Sequence, residues 1–339
     1  MKRFVLKTLL YSIPIIVPIV IFAIFVKPHL HGDIGPLSYG TFDDDYAKIP
    51  EITDDEVVNC RYGHKFSNDS SVLIIGDSFS QTNENLISYN YYIAKSIDGV
   101  VYNLQPWDVN PFLRFLYISK TQELPQIVII ESVERYFIER LCLLDISLSA
   151  SSMLTKNIID TTYSDHKSSP KTLLENTQEW IKRGMQFKGY ENPIKSALLS
   201  QNYFSCINKE KELYFYVEDI YMTELTDSLT SIAVDKLDSL FKYADSIGVE
   251  LYVLIAADKY DVYQDYIVDN PYPPKTLLTQ FTKMYKHPNL INSKDTLSRL
   301  IQQGTLDVYW ANNTHWSPIG SEAVAHQVLE IITSNKLKY

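Results

Sequence analysis

The chain has 339 residues, 45% of them hydrophobic, enough to bury a sizeable core. Its formal net charge of -10 excludes the basic footprint that nucleic acid demands of a partner. Cys60, Cys142 and Cys206 are too few and too scattered for a disulfide framework or a zinc site, though one disulfide with a spare thiol stays open.

The first element is a nearly unbroken apolar run, Leu9 to Val26. Some 18–20 residues of helix cross a bilayer core of roughly 30 Å. Lys2, Arg3 and Lys7 precede the run, which keeps the N-terminus in the cytoplasm and sends the rest out. A cleavable signal peptide competes with this reading, but Phe25-Val26-Lys27-Pro28 offers no small-x-small cleavage site. Residues 1–26 are therefore expected to be a cytoplasmic N-terminus and uncleaved transmembrane anchor. The protein would sit in the cytoplasmic membrane as a single-pass chain, its C-terminal domain extracytoplasmic (periplasmic). Residues 27–70, rich in Pro, Gly and Asp, read as a stalk with a lead-in segment around Val57 to Phe66. The run Asp43-Asp44-Asp45 is a solvated loop, since no Gly-containing twelve-residue calcium loop follows.

From residue 71 to 339 strand and helix patterns alternate. Val72 to Ile75 is a short run of a strand buried on both faces. Apolar residues from Leu86 to Ile97 recur at helical spacing until Asp98-Gly99 stops them. Val100 to Leu104 is a second strand. Asn110-Pro111 is an N-cap followed by proline at the first helical position. Gln126 to Glu131 is a third strand. The alternation lapses across about 138–222, an expected insertion with helical pieces at Thr172 to Phe187 and Asn192 to Leu199 and a strand at Leu213 to Val217. It resumes with an amphipathic helix from Leu225 to Ile247, ended by Gly248, and a strand from Val249 to Ala256. Asn289 to Asn292, Asp295 to Gln303, Leu306 to Trp310 and Pro318 to Ile332 continue as strand, helix, strand, helix. The expected fold is α/β: a three-layer sandwich around a central parallel sheet, flavodoxin-like.

In such sheets, sites gather at the carboxyl ends of the strands. Ser78 follows the first strand, Asp108 and Asn110 the second, Glu131 to Arg135 the third, and Asp258-Lys259 the fourth, with His315 beyond the last. A serine oxygen needs a base to become a nucleophile, so Ser78 and His315 together point to acyl transfer.

GDSF after an apolar strand, paired with a histidine before the C-terminal helix, resembles the SGNH (GDSL-like) hydrolase superfamily. Three further strings, IIESVERYF at 129–137, YVLIAADKYDVYQDYI at 252–267 and DVYWANNTHWSPIG at 307–320, resemble the alginate O-acetyltransferase-like branch of exported enzymes. The resemblance implies transfer of acetyl groups to hydroxyls of an exported or cell-envelope polysaccharide, with a multi-span membrane acyltransferase as the partner that delivers them. It makes Ser78 the nucleophile and His315 the general base. The aspartate that the family places two residues before the histidine is Asn313 here, which supplies an acceptor for the imidazole but no charge. Asp108, Glu131 or Asp307 are the carboxylates that would otherwise take the role. The superfamily's oxyanion hole combines the nucleophile's N–H with a glycine N–H and an asparagine, but the loop NLQPWDVN holds no glycine. Trp107 and Asp108 N–H groups and the Asn110 or Asn103 side chains are the substitutes. Asp77, Asp108, Asn110, Glu131, Arg135, Lys259 and Trp316 are thus candidate oxyanion or substrate-binding residues. Neither a metal nor a cofactor is expected. An esterase that removes acetyl groups from envelope glycans, and a catalytically silent glycan-binding subunit, are the alternatives.

Overall fold

The structure is a computed structural model that describes residues 7, 11–14, 17, 60–63, 70–81, 87–104, 109–155, 194–205, 210–221 and 224–336. Among these no helix is long and apolar enough to cross a membrane. The span expected at Leu9 to Val26 lies outside them except for residues 11–14 and 17, which are helical. The helical piece expected at Thr172 to Phe187 and the residues Cys206, Trp107 and Asp108 also lie outside.

Among the described residues eight strands form: β1 (Cys60–Gly63), β2 (Ser70–Ile75), β3 (Val100–Leu104), β4 (Ile127–Val133), β5 (Ile194–Leu198), β6 (Glu212–Tyr216), β7 (Glu250–Ala256) and β8 (Leu290–Asn292). Six of them build one sheet in the order β1-β3-β2-β4-β7-β8, every pairing parallel. Setting aside the edge strand β1, β2 lies between β3 and β4 as the first strand does in a doubly wound flavodoxin-like sheet. The helices are α1 (Tyr89–Ser96), α2 (Pro111–Ser119), α3 (Glu134–Cys142), α4 (Ala150–Thr155), α5 (Asp227–Ser246), α6 (Lys259–Tyr263), α7 (Leu277–Met284), α8 (Ser293–Gln302) and α9 (Pro318–Lys336). α1, α8 and α9 pack together on one face of the sheet; α2, α3 and α5 pack together on the other.

The local chemistry explains the element boundaries. Leu73, Ile74 and Ile75 of β2 and Val128, Ile129 and Ile130 of β4 are fully buried, as central strands covered on both faces require. Asn110 Oδ1 accepts from the N–H groups of Phe112 and Leu113 and so caps α2. α5 ends where Gly248 takes the left-handed conformation, φ +73°. Ser317 Oγ accepts from Ile319 N at 3.1 Å and opens α9.

Two expectations are corrected. Of the helix expected at Asn192 to Leu199, the described residues 194–199 are not helical: Ile194 to Leu198 forms β5, paired antiparallel with β6 from Ile194–Tyr216 to Leu198–Glu212. A five-residue piece is too short to hold a helix alone, and β6 supplies the backbone partners it needs. Leu306 to Trp310 is not a strand of the sheet. Asp307 takes φ +56°, which breaks the extended run, and only Tyr309 bridges, to Trp316 of its own loop.

Candidate active site

Register brings the site together. Ile75 of β2 lies level with Ile130 of β4, so Glu131 stands beside the turn that follows β2. Gly76 is needed there, because a Cβ would come within 2.1 Å of Ser80 Oγ and 2.6 Å of Glu131 Oε2. Asp77 caps the single 3₁₀ turn Ser78–Ser80, accepting from Phe79 N. Its other oxygen accepts from Val133 N at 2.8 Å and Arg140 Nη1 at 2.6 Å. Glu131 Oε2 accepts from Asp77 N and Ser80 Oγ, both at 2.9 Å. Asn90 and Asn103 both donate to the Ser80 carbonyl. The turn is thus fastened by side chains from β3, β4, α1 and α3.

Ser78 is the half-buried member of this otherwise buried turn. Neither its hydroxyl nor its N–H is hydrogen-bonded to a described residue, whereas the N–H groups of Asp77, Phe79 and Ser80 are all used.

The electrostatics under the turn are set by two carboxyl groups. Burial, and then the charge of Asp77, raises Glu131 well above the ordinary glutamate value. Burial works to raise Asp77 as well, but the Arg140 guanidinium and the Val133 N–H hold it below the usual range. Arg140 is the cation that pairs with Asp77, at 2.6 Å.

His315 lies in the loop before α9. Its Nδ1 is 2.5 Å from Asn313 Oδ1, which also accepts from the His315 N–H at 3.0 Å. An amide oxygen only accepts, so Nδ1 carries the proton and Nε2 is the basic nitrogen. Lys259 fastens the loop from beneath, donating to the carbonyls of Trp310 (2.7 Å), Ala311 (3.1 Å) and Asn313 (3.2 Å). Gly320 lets α9 close on the loop, since a Cβ there would meet the Val308 carbonyl oxygen at 2.3 Å.

The two loops meet through aromatic contacts. The Phe79 ring lies 4.8 Å from the His315 imidazole and 4.9 Å, edge-on, from Trp316. Phe79, Ile87, Ser88, His315, Trp316 and Ser321 line the narrow gap between the two loops. The structure therefore brings the residue after Ser78 against His315, although no hydrogen bond joins Ser78 to the imidazole.

The remaining candidates are placed as follows. Asn110 is occupied as a cap and donates to the Arg140 carbonyl at 3.1 Å. Trp316 and Lys259 are buried, Trp316 against Phe79 and Tyr89. Asp307 accepts from Ser205 N at 2.9 Å and so ties the histidine loop to residues 203–205. Arg135 pairs with Asp258 at 2.5 Å and Asp219 at 3.2 Å. That pair belongs to a buried cluster in which Lys275 reaches Asp258 at 2.5 Å and Glu134 at 3.8 Å. Burial, and then Asp258, pushes Asp219 up to about 7. Sequence reasoning missed Arg140, Asp219 and Lys275. It also gave no fastening role to Asn103, whose polar side chain at the end of the buried strand VVYNL was the available signal, because a buried amide requires a partner.

No curated protein and no solved structure matches the chain. A family model does: residues 233–338, which hold β7, β8, α8, α9, Lys259, Asn313 and His315, match the SGNH hydrolase-like domain of the acetyltransferase AlgX, and the match supports an acetyltransferase- or esterase-type function.

Proposed function

We propose that the protein is a membrane-anchored O-acetyltransferase that passes an acetyl group through Ser78 to hydroxyls of an exported or cell-envelope polysaccharide. The observation that carries this reading is the meeting of the two loops: Phe79 against the His315 ring, with Asn313 Oδ1 on Nδ1. In the first half-reaction Ser78 Oγ attacks the acetyl carbonyl carbon while its proton passes to His315 Nε2. The Ser78 N–H is the turn's donor for the oxygen that gains charge. Collapse expels the donor's leaving group, which takes the proton from the imidazolium, and leaves acetyl-Ser78. In the second, a sugar hydroxyl attacks the ester carbonyl and gives its proton to Nε2. Ser78 leaves with that proton, and the acetylated sugar departs. The half-buried serine at the end of the sheet suits an acceptor that is part of a long chain. The apolar run at Leu9 to Val26 would hold the domain outside the cytoplasmic membrane, where a multi-span acyltransferase would supply the acetyl group.

The test uses a serine-reactive phosphonate on the purified chain. Labelling at Ser78, abolished in Ser78→Ala and reduced at least 100-fold in His315→Ala, is the expected result. An unlabelled Ser78 in folded protein would leave the glycan-binding subunit as the surviving reading. Mass spectrometry of an acetyl donor with an oligosaccharide acceptor then separates transfer from release of free acetate, the esterase outcome.

A further inference from the structure

The geometry points to Lys259 as the positioning residue of the histidine base: its ammonium fixes the backbone that presents Asn313 Oδ1 to His315 Nδ1. This rests on the acyl-transfer reading for its kinetic consequence, though not for its structural one.

Lysine is rarely buried completely, because its charge must be taken out of water and matched by hydrogen bonds. Lys259 is 1% exposed, so its side chain touches no substrate. It is the first residue of α6, directly after β7, and it extends under the loop that joins α8 to α9. An ammonium has three donors. Here they meet three carbonyls, those of Trp310, Ala311 and Asn313, all within the five residues that lead to His315. Three carbonyls within four residues aimed at one point force the chain to curl around that point. Asn313, the last of the three, is the residue whose side chain then turns back onto His315.

The need for such an anchor follows from the loop's own chemistry. Its residues 310–315 belong to no strand of the sheet; the Trp310 N–H donates to the His315 carbonyl across the loop, and the Lys259 ammonium gathers three carbonyls of the same stretch. Where a triad aspartate would hold the imidazole by charge as well as by hydrogen bond, Asn313 offers the hydrogen bond alone. A neutral acceptor holds the ring only as well as its own backbone is held. Lys259 is seated in turn on Phe204, whose ring centroid is 5.1 Å from Nζ. The neighbouring Ser205 N–H binds Asp307 at the start of the same loop. The segment 203–205 therefore supports the base from the second side.

The experiment compares the wild-type chain with Lys259→Met, which keeps the stem and removes the donors, and with Lys259→Arg. The first readout is the ¹⁵N spectrum of His315. Wild type should show one tautomer with the proton on Nδ1, and Lys259→Met a mixture of tautomers. The second is the rate of Ser78 phosphonylation, expected to fall about 100-fold in Lys259→Met, the usual effect of a catalytic group displaced by about 1 Å. Lys259→Arg should recover part of both, and it carries the comparison if Lys259→Met does not fold. A single Nδ1–H tautomer in a folded variant without the ammonium overturns the inference. Absence of labelling in the wild type overturns the acyl-transfer reading instead, and leaves the tautomer comparison valid.

Discussion

Replacing Asn313 by aspartate places a full negative charge where the structure has an amide oxygen 2.5 Å from His315 Nδ1. The imidazolium formed when Ser78 loses its proton would then face a carboxylate with charge centres about 4 Å apart. At an effective dielectric constant of about 20, suited to a half-buried loop, that attraction is about 4 kcal/mol, or nearly three powers of ten in rate. The same attraction holds a proton on the resting imidazole, so it moves the acid limb of the pH profile upward by as much as about three units. The two effects oppose one another at neutral pH. Asn313→Asp should therefore look little different near pH 7 and clearly faster on the alkaline plateau. The assay is the second-order rate constant for Ser78 phosphonylation from about pH 5 to 10. A folded Asn313→Asp chain whose plateau and acid limb both match wild type would refute the assignment of Asn313 as the group that orients the base.

Two further predictions concern the buried carboxyl groups. Glu131→Ala removes the acceptor of Asp77 N–H and one partner of Ser80 Oγ and leaves a cavity, which should cost about 2–4 kcal/mol in urea unfolding; Glu131→Gln keeps a neutral acceptor and should cost less than about 1.5. Asp219 has a folded value of about 7 against about 3.9 unfolded, so the native state binds the extra proton between these limits and stability from this group falls as pH rises through them. Asp219→Asn should flatten the decline in urea midpoint between pH 5 and pH 8, and parallel declines in the two proteins would contradict the assignment.

Much of the fold was legible because its signals are local. The apolar runs at Val72 to Ile75 and Val100 to Leu104, the Asn110-Pro111 cap and the glycine at 248 each define an element from a few adjacent residues. Ile194 to Leu198 was misread because its conformation is decided by β6, some fifteen residues further on. The same division holds at the site. Strand ends place Ser78, Glu131 and Asp258 at one edge of the sheet, and that much follows from sequence order. Which way each side chain turns does not. Glu131 and Lys259 both look like substrate ligands in the sequence, yet both are buried, one under each loop, because register and loop closure set their direction.

β1 joins the sheet at its edge and runs parallel to the other five strands. Cys60, its first residue, lies level with Val101 and Val72, about 10 Å along the strand direction before Ile75 and the turn that holds Ser78. Any leash attached ahead of residue 60 pulls from the rear. Under the proposed anchoring, a chain tethered that way would present the end that holds Ser78 and His315 away from its tether.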